Sequence, residues 1–308
     1  MGYLYLPKKS DYDALVSYAA ARIARIIPLY ACISLLSFIM HRFIYADFIY
    51  RTELMELFRQ VTFTSAAPIF WSIGPEFQFY FLFPIFWTAT YAKQPRRGRL
   101  YLAIGFVLVA CYVTSPWLPG FFALAKMHIF MAGIFGAVLI RRIPEVQMAR
   151  LFGPLLLFTA LFVWSIIAPP TSVQLWIFPP ISGDPKHIIY YSDPLKIGAC
   201  TLVIVGATIR HPLNDIIWGN RVIRRLGVYS FSLYLLHMPV LQLVQIQGQA
   251  LGINMSIQIL SAMTLSLVLA GLSHELFERP VGNWVRRKLT AFLRRSDPGH
   301  PLHRALEG

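Results

Sequence analysis

Eight runs of mostly apolar residues dominate the chain, near positions 26–45, 70–91, 100–117, 121–140, 151–168, 195–209, 226–246 and 254–277. A helix that crosses a bilayer needs about 20 such residues, because inside lipid every backbone N–H and C=O must be paired within the segment itself. A soluble fold would need polar surface that this chain lacks: 56% of its 308 residues are hydrophobic and 14% are charged, far from the soluble average. The reading is all-α: a polytopic membrane helix bundle with about eight transmembrane helices. Pro75 and Pro84 fall in the second run and predict a kink or an irregular stretch there.

Charge sets the orientation. Segments 1–25, 92–99, 141–150, 210–225 and 279–308 are rich in Lys and Arg, whereas 46–69, 118–120, 169–194 and 247–253 hold only Arg51, Arg59 and Lys186. By the positive-inside rule both termini are cytoplasmic. The formal net charge of +14 then reflects orientation and anionic lipid headgroups; no recognition motif accompanies it, so nucleic acid is not a partner. Residues 1–13, with Lys8, Lys9, Asp11 and Asp13, predict a polar amino-terminal segment without an apolar leader. The domains expected are a membrane domain over 1–282 and a basic cytoplasmic tail over 283–308. In the tail, Trp284, Val285, Leu289 and Phe292 fall near one helical face with basic residues elsewhere, which suits a surface helix on anionic lipid. Cys32, Cys111 and Cys200 are single and far apart: neither a disulfide framework nor a metal site is indicated.

The polar residues inside the apolar runs are the candidates for chemistry. Glu76 lies about two turns below the outer edge of its run. A carboxylate near membrane depth costs roughly 2–3 kcal/mol, so it faces a cavity or a partner. It serves either proton transfer or hydrogen bonding to a ligand hydroxyl, or a structural bond to a neighbouring helix. Tyr80, one turn on, shares its face. His237 lies about 17 Å into its run from the cytoplasmic edge. A neutral imidazole there acts as a general base or as a bond between helices. Arg22 and Arg25, three apart, can share a helix face and grip phosphate oxygens, or simply anchor the cytoplasmic side. Lys126 is read as snorkelling from the outer edge. Glu275, Glu278 and Arg279 close the last run, with an ion pair among neighbours as the plain expectation.

Four patterns resemble the acyltransferase-3 family of integral-membrane O-acyltransferases. They are Arg22-Ile-Ala-Arg25-Ile-Ile-Pro28-Leu-Tyr30, the stretch from Trp71-Ser72 through Glu76 and Tyr80 to Pro84, the stretch from Leu226-Gly227 through Ser230 and Tyr234 to His237-Met-Pro239, and Phe277-Glu278-Arg279-Pro280. The resemblance implies a bacterial inner-membrane enzyme that transfers acyl groups other than amino-acyl groups. Its co-substrate would be acyl-CoA, most simply acetyl-CoA, with no bound cofactor or metal. Its acceptor would be a hydroxyl of an envelope polysaccharide or lipid-linked sugar, with membrane lipids as further partners. It implies donor binding by Arg22 and Arg25, catalytic roles for Glu76 and His237, an acceptor cavity lined by Trp71, Ser72, Tyr80 and Tyr234, and Glu278 as a further motif residue. Members usually begin with two more spans, the first carrying an Arg and a His; by that pattern Met1-Gly2-Tyr3-Leu4 looks like the tail of the second. The alternatives are an inactive or truncated acyltransferase-like protein, and a transporter of a glycan or small metabolite.

Overall fold

The computed structural model describes residues 10–65, 67, 70–89, 94–142, 154–155, 158–159, 161, 194–209 and 212–295, with Tyr5 and Lys8. In chain order its helices are α1 (Tyr12–Ile39), α2 (Leu54–Val61), α3 (Ile73–Ala89), α4 (Gln94–Thr114), α5 (Met127–Arg142), α6 (Pro194–Ala207), α7 (Pro212–Ile217), α8 (Arg221–Ala250), α9 (Met255–Ser273) and α10 (Arg279–Arg295). Among the described residues there is no strand. Among the described residues, three helical stretches are long and apolar enough to cross a membrane: Tyr12–Ile44, Arg221–Ala250 and Met255–Arg294. They contain most or all of the runs at 26–45, 226–246 and 254–277. The runs at 100–117, 121–140 and 195–209 fall largely in shorter apolar helices, and that at 70–91 falls in α3 and the turn before it. Most of the run 151–168, the loop up to 193 and residues 296–308 lie outside the described residues.

The chain divides into two compact units, residues 11–81 with 224–308, and residues 1–10 with 82–223. In the first unit, Asp11 starts α1 by accepting a hydrogen bond from the Ala14 amide at 2.9 Å. The helix thus begins well before the apolar run. Residues 12–25, expected as a cytoplasmic loop, are helical, and Arg22 and Arg25 ride on a rod that continues through a π turn at Met40–Ile44. Helix α2 exposes Leu54, Met55, Phe58 and Val61. On its other side Gln60 donates to the Thr52 hydroxyl at 3.3 Å and Glu56 accepts from Ser65. Phe63 follows with φ of 57°, a left-handed backbone that costs a non-glycine residue about 1–2 kcal/mol. Stacking of its ring on Tyr30 at 5.2 Å and on Phe77 at 4.0 Å offsets that cost. A 3-10 turn at Phe70–Ser72 leads into α3. Pro75 occupies the first turn of α3, where a missing N–H costs little, so the irregular stretch precedes the proline.

Contacts fix the helix directions. Tyr18 meets Tyr80 and Tyr30 meets Phe70, so α1 and α3 are antiparallel. Tyr12 bonds Leu293, and Gly282 lies against Ala24, so α1 and α10 are antiparallel too. Helices α8 and α9 form a hairpin through Gly252, whose φ of 66° the turn requires. Asn254 caps α9 by accepting from the Ser256 amide at 2.8 Å. A second π turn, His274–Glu278, joins α9 to α10. The position 282–283, expected to separate membrane domain from tail, falls inside α10, which packs on α1 while Trp284 and Phe292 stay exposed.

In the second unit Trp87 is fully buried and its indole donates to the Lys8 carbonyl at 2.7 Å. Tyr5 packs edge-on against Trp87 at 5.4 Å and Phe83 at 6.2 Å. Lys126 corrects the expectation of snorkelling: it is 5% exposed and closes a 3-10 turn whose Ala123 and Ala125 are buried with it. Cys32 is exposed and Cys111 buried, so the three cysteines share no common packing role.

Candidate active site

Two groups of polar side chains in the first unit hold most of the candidates named from the sequence. On α1, Tyr18, Arg22 and Arg25 follow the i, i+4, i+7 spacing of one helical face. The Arg22 guanidinium stands over the Tyr80 ring at 5.3 Å and the Tyr18 ring at 5.7 Å, a favourable arrangement for a cation on a ring face. Tyr18 donates to the Tyr80 carbonyl at 3.1 Å, which pins α3 to α1. The Tyr80 hydroxyl donates to the Glu76 carboxylate one turn away. Cation, phenol and carboxylate therefore form one chain of contacts. Glu76 itself is exposed, so its carboxylate is open to a ligand as well as to Tyr80.

The second group is centred on α8. Ser72 and Tyr234 share a hydroxyl–hydroxyl bond of 2.8 Å. The Tyr50 hydroxyl donates to the Leu235 carbonyl at 2.8 Å, and its burial holds it far above the usual phenol range, hence as a donor. One turn beyond Tyr234, the His237 Nδ1 lies 2.8 Å from the Tyr234 carbonyl and 3.2 Å from that of Leu233. A carbonyl can only accept, so the neutral ring carries its proton on Nδ1 and keeps Nε2 as its basic nitrogen. His237 lines a groove of about 820 Å³ between α8 and α9, together with Tyr234, Gln245, Gln258, Met263 and Ser266.

The structure thus joins Arg22, Tyr80 and Glu76, leaves Arg25 exposed on the same helix, and joins Ser72, Tyr234 and His237. Trp71 sits half-buried beside Ser72 in the 3-10 turn. Helix α3 runs with α10 and against α8, so Glu76 and His237 lie on opposite sides of the Ser72–Tyr234 bond. Four residues on one helix and three on the other, at 1.5 Å each, set them about 10 Å apart along the axis. The Ser72–Tyr234 bond lies between them.

Glu278, named from the sequence, belongs to a third cluster whose other members, Ser232 and His274, the sequence reading did not single out. Glu278, 8% exposed, accepts from the fully buried Ser232 at 2.6 Å and lies 3.3 Å from the His274 Nδ1. The His274 ring lies 5.4 Å from that of Tyr229. The π turn places His274 and Glu278, four apart, on the α8 side. That spacing was the available signal, but its meaning depended on the turn. Arg279 pairs instead with Glu275 at 3.1 Å.

A family model described as an acyltransferase domain, that of the acyltransferase-3 family, matches residues 1–275. The chain belongs to this family. No curated protein and no solved structure matches it. As an acyltransferase-3 protein it is a membrane acyltransferase in the broad sense. The matched region holds Arg22, Glu76, Tyr80, Tyr234 and His237 and stops within the second π turn, before Glu278 and α10.

Proposed function

We propose that this acyltransferase-3 protein is a bacterial inner-membrane O-acyltransferase. It takes an acyl group, most simply acetyl, from cytoplasmic acyl-CoA and delivers it to a hydroxyl of an envelope or lipid-linked sugar. About eight spans with both termini in the cytoplasm put Arg22 and Arg25 near the donor's side. The observation that carries the reading is the contact chain Arg22–Tyr80–Glu76. It gathers the residue types that donor phosphates and a polar acceptor require around one point of α1 and α3.

His237 supplies the base. The acceptor hydroxyl attacks the thioester carbonyl, a C–O bond forms, the C–S bond breaks, and the proton passes to His237 Nε2. The departing thiolate takes up a proton and leaves as free CoA. Fixing Nδ1 on the Tyr234 carbonyl presents the other nitrogen without a tautomer change. The roughly 10 Å between Glu76 and His237 is the path along which the thioester arm carries the acyl group, past the Ser72–Tyr234 pair.

The test is mass spectrometry of envelope glycans from a deletion strain. Loss of an acyl substituent, restored by the wild-type chain and not by His237→Gln, is expected. Glycans unchanged by the deletion would sink the reading.

A further inference from the structure

Helix α10 carries arginine after arginine and no acidic residue. A helix charged only for orientation would turn all its cations away from the protein. Here α10 lies along the first three turns of α1, and its polar side closes a groove of about 870 Å³ lined by Ser17, Asn283, Arg286, Arg287, Thr290 and Arg294. Asp13 engages Arg294 at 2.9 Å. Arg286 and Arg287 have no acidic partner among the described residues. The groove therefore has two uncompensated guanidinium groups at its wall and hydroxyl and amide donors beside them. Such a set suits an oxyanion with several oxygens, since arginine binds phosphate bidentately and side-chain hydroxyls and amides complete the shell.

Its position adds to the argument. Gly282 abuts the Ala24 carbonyl, with only 3.0 Å between that oxygen and a Cβ built on the glycine. Asn283 and Arg286 are thus within about one helical turn of the level of Arg22 and Arg25.

We infer that the groove between α1 and α10 is a binding site for a ligand bearing clustered phosphates. Two sources share that chemistry, the nucleotide end of the acyl donor and an anionic lipid headgroup. That the donor is the source rests on the function proposed above; the groove itself does not.

The experiment uses the full chain in nanodiscs of neutral phosphatidylcholine, as wild type and as the double variant Arg286→Gln, Arg287→Gln. Both residues are exposed, so the fold is not at stake, and thermal unfolding checks this. One arm titrates CoA and 3′-dephospho-CoA. The other replaces part of the lipid by phosphatidylglycerol and counts retained lipid by native mass spectrometry. For a nucleotide source, CoA affinity falls at least about tenfold in the variant, and removing the 3′-phosphate weakens the wild type comparably. For a headgroup source, CoA affinity is unchanged and phosphatidylglycerol retention falls. The inference is overturned when the variant handles both probes like the wild type, or when the wild type binds neither. CoA binding that depends on Arg22 but not on Arg286 and Arg287, with no retained lipid, removes the groove and leaves the proposed function standing. Lipid retained through Arg286 and Arg287 with no CoA binding at all removes the donor reading and leaves the groove.

Discussion

The two grooves of the first unit are nearly equal in size, about 820 Å³ between α8 and α9 and about 870 Å³ between α1 and α10. Their walls differ in kind. The first is lined by leucine, isoleucine, valine and methionine, with neutral polar groups at Tyr234, His237, Gln245 and Gln258. The second is lined by arginines, Asn283, Ser17 and Thr290. The difference arises in the helices that build them. Helix α9 is mostly apolar, carries no charge and has no distinct polar face, whereas α10 divides sharply into an apolar and a basic face. The π turn joins these helices without a loop. One continuous rod thus passes from an uncharged, mostly apolar stretch to one that walls the basic groove. On the function proposed above, proton transfer at His237 of α8 is set apart from phosphate binding on α1 and α10.

The largest effect should come from removing the proposed base. His237→Gln retains a polar side chain but removes the basic nitrogen, and acyl transfer should fall about 10²–10⁴-fold. Donor affinity should hold, because the change lies in the apolar groove. A parallel collapse of CoA binding would break the division between the two regions. Arg22→Gln makes the complementary test. Losing charge-assisted contacts should weaken CoA binding about tenfold or more, with turnover at saturating donor changed less. The two variants should therefore split, one in kcat and one in KM, and kinetics with varied acyl-CoA reads the split directly.

Part of this layout was legible in the residues alone. Hydropathy located the apolar helices, because burial in lipid leaves a long unbroken signature, and the four family patterns singled out Arg22, Glu76, Tyr80, Tyr234 and His237. The same signature hid the start of α1. Asp11 is a good cap and Asp13 sits well in a first turn, but charged residues outside lipid read as loop when hydropathy alone decides. The π turns were invisible, since no residue type marks the one extra residue that redirects His274 and Glu278. The separation of Glu76 from His237 was invisible as well. It follows from α3 running against α8, and direction along a neighbouring helix is a property of the assembled bundle.

Two glycines sharpen the comparison through stability. Gly282→Ala places a methyl group 3.0 Å from the Ala24 carbonyl oxygen. Backbone cannot swing away, so α1 and α10 must part, and the cost of about 1–3 kcal/mol for overpacking outweighs the roughly 1 kcal/mol that alanine gains over glycine in a helix. Thermal unfolding in detergent should drop by several degrees, and CoA affinity should fall with the altered basic groove while His237 remains competent. Gly248→Ala meets a nominally worse clash, 2.5 Å from Gln258 Cδ, yet should cost much less. The obstacle is the end of a flexible side chain. Its displacement gives up one hydrogen bond, from Gln258 to the Ile253 carbonyl at 2.7 Å, worth about 1 kcal/mol. The helix gain nearly cancels this, so the melting temperature should stay close to that of the wild type. A large loss at Gly248 would mean that Gln258 is held as rigidly as backbone. The apolar groove would then be a fixed socket rather than a cleft that side chains can reshape.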